Sequence, residues 1–304
     1  MEVGFLFPGQ GAQYVGMGKE FYEEFEESKK IFNKAEEILD YDIKKYCFQG
    51  PPDLLKQTVI CQPAIFTVSI AIFEAFKRRI KILPRFMAGL SLGEYTALVA
   101  AESLSFEEGL TLVKKRAEIM EESAKKNPSK MLAVLGLSLD KVSRICEISG
   151  AEVANINSSE QIVISGRKDA IDKAKDLSLK EGAKVVELQV SGGFHSSLML
   201  EASFELKRFL DTLKINKPIA PIVSNYTAEA TRDPEEIKKN LILQIYSPVR
   251  WHQSISFITG RGVKKFIEFG PGKVLKGLLR KIDASLEVVN IETKEDFLNF
   301  NKLN

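Results

Sequence analysis

Residues 86–101, Phe-Met-Ala-Gly-Leu-Ser-Leu-Gly-Glu-Tyr-Thr-Ala-Leu-Val-Ala-Ala, constrain the fold of this chain more than any other stretch. A short apolar run over 86–88 meets Gly89-Leu90-Ser91-Leu92-Gly93, after which Leu92, Tyr95, Thr96 and Val99 recur at helical spacing. The order is strand, tight turn, helix. Glycines two residues before and two after Ser91 suit a strained elbow with no room for a Cβ, which leaves the serine hydroxyl exposed at the tip. The helix behind it aims its unbonded N–H groups and the positive end of its dipole at the same spot. A second explanation stays open: Ser91 and Glu94, three residues apart, also fit a capping box in which the serine only caps a helix.

A chain of 304 residues can bury a substantial core, as one large domain or as a domain carrying an insertion. Apolar and charged contents of 44% and 28% are those of an ordinary soluble globule. The net charge of +2 comes from 43 basic and 41 acidic side chains mixed in clusters such as 23–30 and 235–239. No basic stripe forms of the kind a phosphate backbone needs, so nucleic acid is not an expected partner. The amino terminus lacks a basic n-region and its apolar run is short, so neither a signal peptide nor a membrane span is expected there. Cys47, Cys61 and Cys146 are odd in number and scattered, which argues against a disulfide frame and fits a reducing cytoplasm. The two histidines, His195 and His252, have no Cys or carboxylate at ligand spacing, and no metal site is expected.

Val3–Phe7 reads as the first strand and runs into Pro8-Gly9-Gln10-Gly11-Ala12-Gln13, which by itself resembles a plain strand-to-helix loop. Residues 19–38 form an amphipathic helical pattern, and Gln62-Pro63 is expected to open a buried helix over 64–76. After Asn127-Pro128-Ser129 the pattern changes. Strands are expected over 131–137, 151–157, 161–165 and 184–190, with helices over 140–149 and 169–181. That βαββαβ order is ferredoxin-like. The expected organisation is therefore a large subdomain, 1–127 and 191–304, interrupted by a small one at 128–190.

His195 follows Gly192-Gly193-Phe194 and precedes two serines, a loop between strand and helix where functional groups collect. A helix is expected over 198–213, a short strand over 221–225 and a helix over 237–245. Near the end, a strand over 265–269 feeds Gly270-Pro271-Gly272-Lys273, which lacks the spacing and hydroxyl of a Walker loop. The polar tail beyond Thr293 is expected to be loose.

Ser105 with Glu108 opens another helix, in which Leu110, Leu112, Val113, Ala117, Ile119 and Met120 fill one half of the helical circle. Arg116 falls in the middle of that apolar half. Its guanidinium cannot shed its proton, and no acid stands three or four residues away to pair with it. Either a carboxylate from elsewhere in the fold meets Arg116, or the missing anion is a substrate's.

Gly9-Gln10-Gly11, Gly89-Leu90-Ser91-Leu92-Gly93-Glu94, Arg116, Phe194-His195-Ser196 and Gly270-Pro271-Gly272-Lys273 together resemble, in order and spacing, the malonyl-CoA:acyl carrier protein transacylases. The resemblance spans nearly the whole chain. It implies an α/β-hydrolase-like large subdomain with a ferredoxin-like insertion, and transfer of a malonyl group from coenzyme A to the phosphopantetheine thiol of acyl carrier protein in fatty acid biosynthesis. It implies Ser91 as nucleophile, His195 as general base, Gln10 and the Leu92 amide as the oxyanion hole, and Arg116 as the clamp on the malonyl carboxylate. It places the main-chain carbonyl that orients the histidine at the Pro-Val-Arg-Trp segment, hence at Arg250. Gln62, Asn155 and Asn157 resemble positions lining the cleft, and Phe194 the pattern associated with malonyl choice. No cofactor, a cytoplasmic monomer, and malonyl-CoA and acyl carrier protein as partners are the accompanying expectations. One position departs from the family, which usually has histidine where this chain has Leu90.

The residues support the same chemistry directly. A serine attacks a thioester only when a base takes its proton, and His195 is the better placed of the two imidazoles, His252 following a Trp at a helix start. A serine esterase or thioesterase using water as acceptor is the first alternative. A non-catalytic scaffold, hinted at only by Leu90, is the second.

Overall fold

The computed structural model describes residues 2–303, with side chains through Phe300. Strand β1 (Val3–Phe7) is buried along its whole length, the condition of a strand covered on both faces of a parallel sheet. After it come helices α1 (Lys19–Glu24), α2 (Glu26–Leu39), α3 (Ile43–Gln49), α4 (Pro52–Leu55) and α5 (Thr58–Arg79), strand β2 (Phe86–Gly89), and helices α6 (Leu92–Ala100) and α7 (Phe106–Lys126). Next are β3 (Ser129–Leu135), α8 (Leu139–Ser149), β4 (Glu152–Ser158), β5 (Gln161–Arg167), α9 (Lys168–Lys180) and β6 (Lys184–Glu187). A 3-10 turn at Ser197–Met199 leads into α10 (Leu200–Leu210), β7 (Ile222–Val223), β8 (Ala230–Thr231), α11 (Pro234–Gln244) and α12 (Trp251–Thr259). The chain then forms β9 (Lys265–Phe269), α13 (Val274–Ile282), β10 (Glu287–Ile291) and α14 (Lys294–Leu303).

The strands form two sheets. The larger runs β10-β9-β1-β2-β7-β8, parallel except for the short edge strand β8. The smaller, β4-β5-β3-β6, is antiparallel and backed by α8 and α9, the ferredoxin-like arrangement of the insertion. The smaller sheet is tied to the large subdomain through β4 and the segment just before α12, where Val249 N–H donates to the Ala154 carbonyl (2.8 Å) and Ile156 N–H to the Val249 carbonyl (2.9 Å). That seam sets Asn155 at the mouth between the subdomains.

The core of the large subdomain is built on aromatic rings. Phe269 lies 5.0 Å from Phe5, 5.3 Å from Phe73 and 4.8 Å from Phe76, each in edge-on contact. Helix α5 crosses this core and is by length and composition apolar enough to span a bilayer; 83% of its most apolar window is buried inside the fold.

Several elements differ from the sequence expectation. The amphipathic helix over 19–38 is two helices, broken at Phe25, whose backbone is extended (φ −123°, ψ 119°). The Phe25 ring packs between Phe21 (5.1 Å) and Phe297 (5.3 Å) with the Arg79 guanidinium 4.8 Å from its centre, contacts that periodicity cannot reveal. Helix α5 begins at Thr58, not at Pro63. Proline inside a helix leaves the carbonyl four residues earlier without its amide donor, and here the Tyr41 hydroxyl donates to that Val59 oxygen (3.3 Å). The tail beyond Thr293 is helical, not loose, as far as Leu303, and Asn304 lies outside the described residues. Thr293 and Asp296 cap α14 reciprocally, Asp296 accepting from the Thr293 amide (3.0 Å) and Thr293 Oγ1 from the Asp296 amide (3.2 Å). Phe297 and Phe300, one turn apart, bury themselves on Phe25 and Phe76.

Phe297→Ala is therefore expected to destabilise the protein by about 3–5 kcal/mol through the cavity it opens. Urea denaturation checks this, and a wild-type midpoint would place α14 outside the cooperative core.

Candidate active site

The elbow is as tight as its sequence requires. A Cβ on Gly89 would lie 1.9 Å from the Gly93 carbonyl carbon, and a Cβ on Gly93 2.0 Å from the Phe7 oxygen. With β2, α6 and β1 pressed together in this way, Ser91 adopts φ 52° and ψ −100°, a backbone that side chains seldom tolerate. Asn225, from the loop after β7, clamps it: its Oδ1 accepts from the Ser91 amide (2.6 Å) and its Nδ2 donates to the Gly89 carbonyl (2.8 Å).

The Ser91 side chain does not cap α6. Its Oγ lies 2.8 Å from His195 Nε2 and accepts from Arg116 Nη2 at 2.9 Å. Glu94, the other half of the conceivable capping box, turns instead to the Asn225 amide (2.9 Å) and to Gln244 Nε2 (2.7 Å).

His195 is also held at positive φ, 56°. Its Nδ1 lies 2.8 Å from the Gln244 carbonyl oxygen, which can only accept, so the proton is on Nδ1 and the Nε2 lone pair faces Ser91. Burial, with the nearby Arg116 charge, drives its pKa down to about 4, against the pull of the carbonyls at Gln244 and Ser247. The imidazole is thus neutral at pH 7 and able to accept a proton. The orienting carbonyl is not in the Pro-Val-Arg-Trp segment. It belongs to Gln244, six residues before Arg250, because Gln244 ends α11 and a last-turn carbonyl has no intrahelical partner. Arg250 starts α12, is exposed, and sets its guanidinium 6.0 Å from the Tyr226 ring.

Arg116 is buried in α7, as its place on the apolar half demanded. Nη1 donates to Gln62 Oε1 (2.8 Å), Nη2 to Ser91 Oγ and Gln244 Oε1 (3.2 Å), and the guanidinium carbon lies 4.9 Å from the Tyr95 ring centre. Among the described residues no carboxylate comes within ion-pair distance of it. Gln62 is held by that bond and by a contact from its Nε2 to Met120 Sδ (3.6 Å).

A cavity of about 330 Å³ opens over these groups between the two sheets. Gln10, Gln62, Ser91, Leu92, Arg116, Asn155, Asn157, Phe194 and His195 all line it; Arg250 does not. The loop bearing Gln10 is pressed on the elbow, a Cβ on Gly9 falling 2.3 Å from the Leu90 oxygen. The Leu92 amide opens α6, so it has no intrahelical partner. Leu90 also lines the cavity and packs on a second apolar cluster around Trp251 and Leu278. His252 lies on α12, away from the cavity lining. At the Gly270-Pro271-Gly272-Lys273 turn the start of α13 is already filled, Glu268 accepting from the Leu275 and Lys276 amides at 3.0 Å each.

Sequence reasoning missed Gln244 and Asn225, which join the site through contacts distant in sequence, most of them across more than a hundred residues, and carry no local signature. Glu94 could have been found. It is the one charged residue in the otherwise apolar α6, and the reasoning that singled out Arg116 applies to it equally.

Residues 4–292 match the acyl transferase domain family. The chain is 41% identical to the malonyl CoA-acyl carrier protein transacylase of Bacillus subtilis (strain 168) over 300 residues, covering 97% of this chain and 94% of that one. It is 40% identical to the protein of the same name from Staphylococcus aureus (strain MRSA252), covering 98% and 97%. The crystal structure of malonyl CoA-acyl carrier protein transacylase from Clostridium perfringens superposes with a TM-score of 0.94 at 40% identity over 100% of this chain and 97% of that one. A malonyl-transacylase solved in complex with a type II PKS acyl-carrier protein superposes with a TM-score of 0.97 at 33% identity over the full length of both chains.

Because the sequence holds two histidines, their imidazole signals are assignable by NMR. His195 is expected to remain in the neutral Nδ1–H form until the pH falls to about 4, whereas an ordinary imidazole gains its proton near 6.5. Protonation of His195 near 6.5 would contradict the burial and the Arg116 field described above.

Proposed function

This chain belongs to the acyl transferase family, and on that premise we propose that it moves a malonyl group from coenzyme A to the phosphopantetheine thiol of acyl carrier protein through an acyl-serine, for fatty acid biosynthesis. The observation that carries the reading is Arg116, a buried guanidinium 2.9 Å from the Ser91 hydroxyl whose bonds end on neutral oxygens. A carboxylate can displace those oxygens and form a bidentate, charge-assisted pair.

The steps follow from the atoms. Ser91 Oγ attacks the thioester carbonyl carbon while His195 Nε2 takes its proton. The tetrahedral oxyanion is met by the Leu92 amide at the start of α6 and by Gln10. Collapse breaks the carbon–sulfur bond, and His195 returns the proton to the departing coenzyme A thiolate. Acylation turns Oγ from a hydroxyl into an ester oxygen, a weaker acceptor, which frees Arg116 Nη2 for the malonyl carboxylate. The carrier thiol then gives its proton to His195 and attacks the ester carbonyl carbon; the bond from that carbon to Ser91 Oγ breaks and His195 returns the proton to Oγ, so the kinetics are ping-pong. His195 leans on a main-chain carbonyl and needs no acidic partner of the kind found in Ser-His-Asp hydrolases.

Phe194, buried beside His195, lines the same cavity as Asn155 and Asn157; in this reading the ring borders the acyl group and the asparagine side chains are partners for the pantetheine arm. The three cysteines are buried and unpaired, which suits a reducing cytoplasm, and the apolar helix α5 is mostly buried in the core.

Labelled malonyl-CoA should leave a malonyl group on Ser91 that persists until holo acyl carrier protein is added. Release of free malonate within seconds would identify a hydrolase, and absence of label a scaffold. Arg116→Ala is expected to lower kcat/KM for malonyl transfer about a hundredfold and to raise acetyl transfer relative to it. An unchanged malonyl-to-acetyl ratio would remove Arg116 from carboxylate recognition.

A further inference from the structure

Glu94 takes no part in the transfer steps above, yet its carboxylate is buried one turn behind the nucleophile. Burial pushes its pKa up to about 7, opposed by hydrogen bonds from Asn225 and Gln244 and by the charge of Arg116. The charged or titratable groups around it are Arg116 from α7, Tyr95 from α6 and, across Gln244, His195 from the loop before α10.

Gln244 connects these groups. Its Nε2 donates to Glu94 Oε2 (2.7 Å) and to the Ser91 carbonyl (3.1 Å), so both amide hydrogens are committed. Its Oε1 is thereby turned to Arg116 Nη2 (3.2 Å), and its main-chain oxygen receives His195 Nδ1–H (2.8 Å). The opposite amide orientation would set N–H groups against the guanidinium. Glu94, which can only accept when ionised, forbids it.

We propose that Glu94 is a positioning residue: its carboxylate locks the Gln244 side chain and, through that one residue, aligns Arg116 and His195 on Ser91. It also supplies Arg116 with a countercharge relayed across an amide. A direct Glu–Arg pair would occupy the guanidinium donors, whereas the relayed one leaves them on neutral oxygens that an incoming carboxylate replaces. The inference rests on the malonyl reading for the identity of the acyl group, but not for the alignment of Ser91.

The test compares the full-length wild-type chain with Glu94→Gln, which keeps the shape and removes the charge. Two readouts are followed: kcat/KM for malonyl and for acetyl transfer, and the rate at which phenylmethylsulfonyl fluoride modifies Ser91, which requires no particular acyl group. Glu94→Gln is expected to slow sulfonylation and to lower malonyl transfer about tenfold while acetyl transfer falls less. In a Gln244→Ala background the same change is expected to add nothing, because the relay is already gone. Unchanged sulfonylation with an unchanged malonyl-to-acetyl ratio, or an equal further loss in the Gln244→Ala background, overturns the proposal. If Glu94→Gln does not fold, Gln244→Ala alone must lower both readouts, and wild-type values for it overturn the proposal. A wild-type chain that is sulfonylated at Ser91 but inert to malonyl-CoA rejects the malonyl reading instead, and the sulfonylation rates still decide the role of Glu94.

Discussion

The contact on which this structure depends is the one between Gly93 and Phe7. Helix α6 lies so close to β1 that a methyl group at Gly93 would overlap the Phe7 oxygen, and β2 closes on the same turn through Gly89. The backbone between those two glycines has to turn with Ser91 at positive φ, at a cost on the order of 1–3 kcal/mol. Asn225 offsets part of that cost by satisfying both the Ser91 amide and the Gly89 carbonyl. The outcome is a hydroxyl that faces the cavity and is not folded back on its own helix. The helix dipole and the first amides of α6 point at the same place, so nucleophile and oxyanion donors arise from a single backbone event.

Around that hydroxyl the protein buries an arginine, a histidine and a glutamate without joining any two of them directly. Each contact is passed through an amide or a hydroxyl: Arg116 to Gln62, Gln244 and Ser91, Glu94 to Asn225 and Gln244, His195 to the Gln244 carbonyl. Two physical consequences follow. The imidazole, buried beside a fixed positive charge, loses its affinity for protons and stays in its basic form. The guanidinium, denied a carboxylate of its own, keeps its donors available. Both properties suit a serine that must be deprotonated and a substrate that brings an anion.

Much of this was legible in the sequence because certain residues are intolerable anywhere else. Two glycines around a serine between a strand and a helix, and an arginine on the apolar side of α7, each have few structural explanations. The βαββαβ rhythm of the insertion could likewise be read from alternating periods. Errors came where a local rule met a tertiary partner. Pro63 marked a helix start by rule, yet it lies inside α5 because Tyr41 satisfies the carbonyl it strands. The tail after Thr293 looked polar on average, yet two phenylalanines one turn apart gave it a buried face. Arg250 was favoured for the carbonyl behind His195 because a segment resembled a motif. The true partner depends on where α11 ends relative to a loop fifty residues earlier.

By itself the sequence determined which groups must do the chemistry: an elbow serine, one imidazole in a glycine-rich loop, and a cation with no local anion. Those follow from short-range rules of spacing, backbone freedom and charge. What only the tertiary structure decided is how these groups are oriented. Hydrogen bonds such as those of Gln244 and Asn225 are directional and link elements from about fifty to more than a hundred residues apart, and no local pattern encodes the distance or angle at which two such elements will meet.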